Sequence, residues 1–400
     1  MDRNYHVIAA SSLFDAAPAR MIPDSLAVLD RIRESGLVGM GGAGFPTWKK
    51  LSFGKGSDVI IANAAECEPL LEHNVARLRS NPGEILSGIT LAMRQTGASK
   101  GIIAIKAKHT ESLDAVRAAL SAAGEGSSAF DIDPGIEIAL LQDRYPAGDE
   151  RAIVRDVLGT LVEPNEIPSK AGAVVINVET LLRLHQAVVE RKAVNTKDIT
   201  VAGDITGSGF GNDVSLVLYD VPIGKRVADV LDALGIRLAD DARLLMGGPY
   251  MGGEITAEDC ITATSGGVII AGSEIQDEGP MGIIVCACGA SEERLKAIVR
   301  EKGSSLCGVE FCKNAFRLPN GRLKCRNPGI CPGQTQAVLA LRKKGAQSVL
   351  IGHCTDCSNT VMQVAPKLGM RVHHATDAYM RAGGEHLIRS FRKTTVNTQA

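Results

Sequence analysis

The chain has almost no net charge: 44 Lys and Arg stand against 45 Asp and Glu, leaving −1 over 400 residues. That gives no electrostatic case for binding nucleic acid or an anionic membrane. No apolar run approaches the ~20 residues a membrane helix needs. Residues 1–23 mix Asp, Arg and His with short apolar pieces. They lack the basic start and apolar block of a secretory signal, so the expected location is cytoplasmic. The G-x-G-x-x-G fingerprint of dinucleotide-binding folds, which must open a helix directly after a strand, is not met either: Pro46 interrupts the glycine-rich stretch at Gly39–Gly44, and Ser25–Ser35 before it reads as a helix.

What remains is ample core material, 45% hydrophobic, in a length that suggests two or three domains. Ten cysteines are many for a chain in a reducing compartment, and eight of them fall between Cys286 and Cys357. Such clustering favours metal, cluster or redox chemistry over structural disulfides. It also sets the last third apart.

Glycine is concentrated in Gly39-Met40-Gly41-Gly42-Ala43-Gly44-Phe45-Pro46-Thr47, four glycines in six residues. A backbone this bare lets a ligand lie directly on the chain, and phosphate-bearing cofactors are the usual reason. The plain alternative is a flexible turn. Lys50 adds charge just after the loop.

The first half alternates short apolar strands with amphipathic helices. Strands are expected at Ser57–Asn63, Gly101–Lys106 and Ile136–Leu141, and helices at Ser112–Ala123, Arg151–Leu158 and from Asn177 to about Val189. The polar loop Asn63-Ala64-Ala65-Glu66-Cys67-Glu68-Pro69 ends the first strand, where open α/β sheets place ligands. Tyr145-Pro146-Ala147-Gly148-Asp149-Glu150 follows the third. Its acids, and Asn177, could equally serve only as helix caps. Beyond residue 192 a hairpin, Ile199–Ala202 with Ser215–Val221, precedes the helix Arg226–Leu234. That order reads as a β-grasp.

Four of these stretches resemble one family in the same chain order: the glycine loop, the Ala-Glu-Cys-Glu-Pro run, the Tyr-x-x-Gly-acid-Glu segment and Asn177-Val178-Glu179-Thr180. They are similar to the NADH-oxidising flavoprotein subunit of respiratory complex I and to RnfC, its counterpart in ion-pumping ferredoxin:NAD oxidoreductases. The resemblance implies an α/β fold in three parts. Residues 1–192 would form a complex I flavoprotein-like FMN/NADH-binding domain, 193–273 a β-grasp (soluble-ligand-binding) domain without chemistry, and 274–400 a Cys-rich α/β redox or metal domain. It further implies that Gly39, Gly41, Gly42, Ala43 and Gly44, with Lys50, hold FMN, and that Phe45 and Phe53 stack on the nucleotide. Asn63, Glu66, Glu68, Gly148, Glu150, Asn177 and Thr180 would complete the cofactor site. Ala65 replaces an Asp of the complex I version. Glu66 and Glu68 would repel a 2′-phosphate, favouring NADH.

The two ferredoxin-type Cys-x-x-Cys-x-x-Cys-x-x-x-Cys-Pro runs of RnfC are absent. Cys307, Cys312, Cys325 and Cys331 could supply an iron–sulfur cluster, hold zinc, or stay unliganded. Cys354-Thr355-Asp356-Cys357 sits between an expected strand, Ser348–Gly352, and an expected helix, Ser358–Leu368. That setting suits a redox-active dithiol, although zinc or cluster ligands share the spacing. A group of RnfC-like electron-transfer proteins associated with D-proline reductase is similar in lacking the ferredoxin motifs and in thiol content. The expectation is therefore a soluble flavoprotein that oxidises NADH through FMN and passes electrons, by way of C-terminal thiols or a cluster, to a partner reductase. The alternatives are a flavin-dependent cobalamin reductase and a non-catalytic zinc-binding module on the same fold.

Overall fold

A computed structural model describes residues 3–15 and 17–389. Four parallel strands form the first sheet, in the order Ile136–Leu141, Lys100–Lys106, Val59–Ala64, Ala173–Asn177. Apolar runs such as Val-Ile-Ile-Ala leave the inner strands buried on both faces, as parallel sheets require, while the edge strand Ile136–Leu141 keeps Leu140 exposed. Ile60, Ala62 and Ile103 pack beneath the helices Pro82–Thr96 and Val178–Val188, while Ile61, Ile102 and Val175 pack towards Glu150–Leu158. After Val59–Ala64 the chain adds strands on one side and then returns to the other with Ala173–Asn177. The crossover direction therefore reverses between these two, and the crevice at their carboxyl ends is where open α/β sheets take ligands.

The second sheet has six strands, ordered Asn4–Ala9, Val214–Pro222, Thr196–Gly203, Gly267–Ala271, Arg243–Met246, Gly253–Ile255. The expected hairpin is present as the antiparallel pair Thr196–Gly203 and Val214–Pro222, with the helix Val227–Ala233 after it. The strand Asn4–Ala9, not expected from sequence and lying in the segment assigned to the first part, pairs with Val214–Pro222. The division at residue 192 thus omits a segment that closes this sheet's edge.

A buried ion network fastens the first two units. Arg77 and Arg183 reach Asp198, at 2.7 and 3.1 Å, and both also reach Asp220. Lys197 bonds Glu179 with both side chains fully buried. Burial pushes Asp198 up, but Arg183 and Arg77 outweigh it and hold the carboxyl below its usual range.

The third sheet is again parallel: Ser304–Phe311, Gly279–Val285, Ser348–Ile351, Arg371–His374. Helices Glu292–Glu301, Thr335–Lys343 and Thr355–Val364 cover it. A small hairpin, Ala315–Arg317 with Leu323–Cys325, stands beside it. Its crossovers also reverse direction, here between Gly279–Val285 and Ser348–Ile351. Among the described residues no helix is long and apolar enough to cross a membrane.

Candidate functional site

The glycine loop lies beside the carboxyl-end crevice of the first sheet. Gly39 and Phe45 pair through backbone, and Met40 N–H donates to Thr180 Oγ1 at 2.9 Å, tying the loop to the helix Val178–Val188. Gly42 has φ +105° and Gly44 φ +65°, the left-handed region that glycine alone enters freely. A Cβ on Gly42 would meet nothing within 4 Å, so that side of the loop is open. Phe45 and Phe53 are both exposed, 42% and 63%, with ring centroids 6.3 Å apart. Two large rings left facing solvent beside an open backbone are a surface waiting for a flat partner.

Behind the loop runs a chain of amides. Asn177 Nδ2 donates to Asn74 Oδ1 at 3.0 Å, and Asn74 Nδ2 donates to Glu66 at 2.7 Å. Asn63 Nδ2 donates to Gly148 O at 2.9 Å. Burial pushes the Glu66 carboxyl up to about 7. Lys50 donates to Glu150 at 2.5 Å and to Val175 O at 2.7 Å, which fixes both ends of the pair at the crevice. Asn177 also caps its helix, accepting from Glu179 and Thr180 N–H, and Asp149 caps Glu150–Leu158 in the same way. The capping explanation thus describes Asp149, whose carboxyl is spent on Arg151 and Ala152.

Glu68 departs from the expected grouping. Its two oxygens accept from Tyr250 N–H and Met251 N–H, at 2.8 and 2.9 Å, in a loop of the second unit. Gly248 permits this, since a Cβ there would lie 2.3 Å from the Glu68 carboxylate. Glu68 is therefore a joint between units rather than a group free to face a nucleotide. Asn74 was not predicted. Nothing in Glu72-His73-Asn74 marks it, because its role depends on a helix packed from elsewhere.

The cysteines form a second assembly. Cys286, Cys288, Cys312, Cys325, Cys354 and Cys357 are buried together with Tyr145 and Tyr250, and Cys331 and Cys67 pack against them. Cys286 and Cys288 follow the strand Gly279–Val285, Cys312 follows Ser304–Phe311, and Cys354 caps the helix after Ser348–Ile351. All stand at carboxyl ends of the third sheet, around its reversal point. Gly289 and Gly352 let two of these loops touch, for a Cβ on Gly289 would overlap Gly352 O. Contacts from Cys288 and Cys357 hold the Cys354 thiol well below its ordinary value, while Cys312, Cys331 and Cys354 push Cys357 up.

Two sequence expectations change here. Cys307 stands apart, half-buried near Lys344, and does not join Cys312, Cys325 and Cys331. Cys354 and Cys357, expected as a separate dithiol, are each about 2% exposed and sit inside the larger assembly. The Cys286-Ala287-Cys288 run was the available signal for the missing pair. Cys-x-Cys directly after a buried strand puts both at the sheet edge.

Known proteins resemble the chain over the region that holds the first site. Residues 32–186 match the Nuo51 FMN-binding domain. The chain is 35% identical to the cobalamin reductase PduS of Salmonella typhimurium over 244 residues, 61% of this chain and 49% of that one. It is 29% identical over 231 residues to a subunit of the Na(+)-translocating ferredoxin:NAD(+) oxidoreductase complex of Acetobacterium woodii, 57% of this chain and 48% of the relative. Over this region the chain is similar to RnfC-like proteins. It carries an FMN-binding domain of an oxidoreductase, electron-transfer family. It spans about half the length of the curated relatives it matches. A crystal structure of an NAD+-reducing nickel–iron hydrogenase in the H2-reduced state shares the fold over 64% of this chain and 50% of that one, with TM-score 0.51 and 24% identity. The open loop, the exposed ring pair and the amide chain suit an FMN: they offer backbone to a phosphate, apolar faces to a ring system and donors to its edge.

Proposed function

We propose that the chain is an electron-transfer flavoprotein that takes a hydride from NADH at the FMN site and delivers electrons through the cysteine assembly to a partner reductase. The observation carrying this reading is a direct link between the two sites. Tyr145 lies in the same short segment as Gly148, whose carbonyl accepts from Asn63. It exchanges hydrogen bonds with Thr355 inside the Cys-x-x-Cys run, at 3.0 and 3.2 Å. Bound FMN supplies the conversion between two-electron and one-electron chemistry.

The protein's own groups supply the rest. Gly39 to Gly44 give the cofactor phosphate a bare backbone, and Lys50 adds a cation. Phe45 and Phe53 offer apolar faces to the nicotinamide nucleotide. Glu150 accepts from its ribose hydroxyls, and Asn63, Asn74 and Asn177 orient the flavin edge. Glu66, its carboxyl pushed up to about 7, exists in both protonated and ionised forms at pH 7 and can donate or accept there. The six-stranded unit acts as a β-grasp support that locks Glu68 and Tyr250 against both sites.

A second reading replaces the partner reductase by a cobalamin. The 35% identity to PduS supports it directly, and the flavin residues would act unchanged. D-proline reductase as the acceptor rests on resemblance alone. Anaerobic NADH oxidation with cobalamin as sole acceptor separates the readings. Faster turnover than with a disulfide or protein acceptor favours cobalamin. NADH consumption by neither pathway, with flavin bound, removes both.

A further inference from the structure

Seven cysteines of the last third share one buried assembly, more than a single metal ion uses. A structural zinc takes four thiolates in a closed tetrahedron. Among the described residues no group of three or more His, Cys, Asp or Glu is placed to hold one metal ion. The thiol contacts instead close on themselves: Cys286 touches Cys288 and Cys312, Cys288 touches Cys354, and Cys357 touches Cys354 and Cys312. Cys325 bridges the Cys286–Cys288 edge, and Cys331 adds to Cys357.

The sulfurs also receive donors. Gln334, 1% exposed, points its amide Nε2 at Cys312 Sγ and Cys357 Sγ, at 3.2 and 3.4 Å. Gly333 N–H and Thr360 Oγ1 both donate to Cys331 Sγ at 3.3 Å. Neutral thiols packed only for burial do not need such donors. Thiolates bound to a cluster do, and hydrogen bonds to sulfur are among the means by which a protein sets a cluster's potential. Three strand ends, one helix cap and a hairpin converge to build this nest. Arg151, from the flavin-binding unit, braces the hairpin by donating to Cys325 O and Arg326 O.

We propose that this nest holds a polynuclear iron–sulfur cluster whose ligands include Cys286 and Cys288, a pair outside any ferredoxin-type run. The remaining ligands are drawn from among Cys312, Cys325, Cys354 and Cys357, since such clusters take four thiolates, and Cys307 takes no part. The assignment deepens the electron-outlet reading and rests on it for its role alone. Metal content is measured without NADH, and flavin content reports separately on the first site.

The test is elemental and acid-labile sulfide analysis of the full-length protein purified anaerobically, with electron paramagnetic resonance after dithionite reduction. The expected result is iron and sulfide in matching, stoichiometric amounts with a reduced-cluster signal. Cys286→Ser and Cys288→Ser should each lose or alter that signal with bound FMN unchanged, and Cys307→Ser should keep it. If a ligand variant also loses FMN and fails to fold, thiol alkylation of the wild type decides. Nest cysteines should resist alkylation until the cluster is destroyed by oxidation and chelation. Zinc without sulfide, or no metal and freely titrating thiols, overturns the proposal. So does an unchanged cluster in both the Cys286 and Cys288 variants.

Discussion

Tyr145 and Tyr250 lie stacked, ring centroids 3.6 Å apart and planes 1° from parallel. One comes from the flavin-binding unit and the other from the six-stranded unit, and both are walls of the cysteine nest. Cys67 packs against the same nest, and Gly148 lies so close to it that a Cβ there would sit 2.9 Å from Cys67 Sγ. The flavin crevice and the nest are thus neighbours across one aromatic pair.

Gly42→Val should abolish FMN retention. The valine side chain would fill the open side of the loop and would itself be strained at φ +105°. Flavin absorbance per protein after desalting measures this. Full flavin content would remove the loop from the site.

Glu150→Gln should raise KM for NADH by roughly ten- to a hundred-fold, the range set by about 1.5–3 kcal/mol for a charge-assisted hydrogen bond. Bound flavin should stay, since Lys50 keeps its bond to Val175 O. Steady-state kinetics with NADH decides, and an unchanged KM would take Glu150 out of the nucleotide site.

Glu66 gives a pH dependence with a definite sign. Its folded pKa of about 7 lies above the ordinary 4.5 because burial disfavours the charge. The folded state therefore binds the extra proton, and its contribution to stability is complete below about pH 4.5. That contribution falls as pH rises towards about 7, each tenfold difference in proton affinity between the folded and unfolded states being worth about 1.4 kcal/mol. Glu66→Gln should flatten the Tm profile over this window. An identical profile in the variant would show that Glu66 does not titrate there.

Asp198→Asn should destabilise the chain by about 3–5 kcal/mol, because Arg77 and Arg183 would be left buried without their main counter-charge. Thermal melting of the apoprotein tests this. A shift of Tm within experimental error would mean that Asp220 alone satisfies both guanidinium groups.

Much of the first site was legible because its signals are local. A glycine-dense loop, an apolar strand ending in Asn63 and a capping Asn177 each announce themselves within a few residues. The strands Ile136–Leu141 and Val59–Ala64 fall within two residues of expectation for the same reason. What sequence did not reveal depends on elements far apart in the chain. Asn74 matters only because Asn177 reaches it, and Glu68 turns away only because Gly248 leaves room. Cys-x-x-Cys spacing correctly marked a strand-to-helix turn. It carried no information that Cys286 and Cys288, much earlier in the chain, end on the adjacent strand. The strand Asn4–Ala9 likewise pairs across more than two hundred residues.

The most direct test of the account is an anaerobic titration of the FMN-loaded protein with NADH, followed by absorption. The flavin band should bleach as NADH is added. More than one NADH should be oxidised per flavin before the end point, the excess electrons reducing the oxidised iron–sulfur cluster assigned to the cysteine nest. A flavin band that dithionite bleaches and NADH leaves untouched would contradict the account.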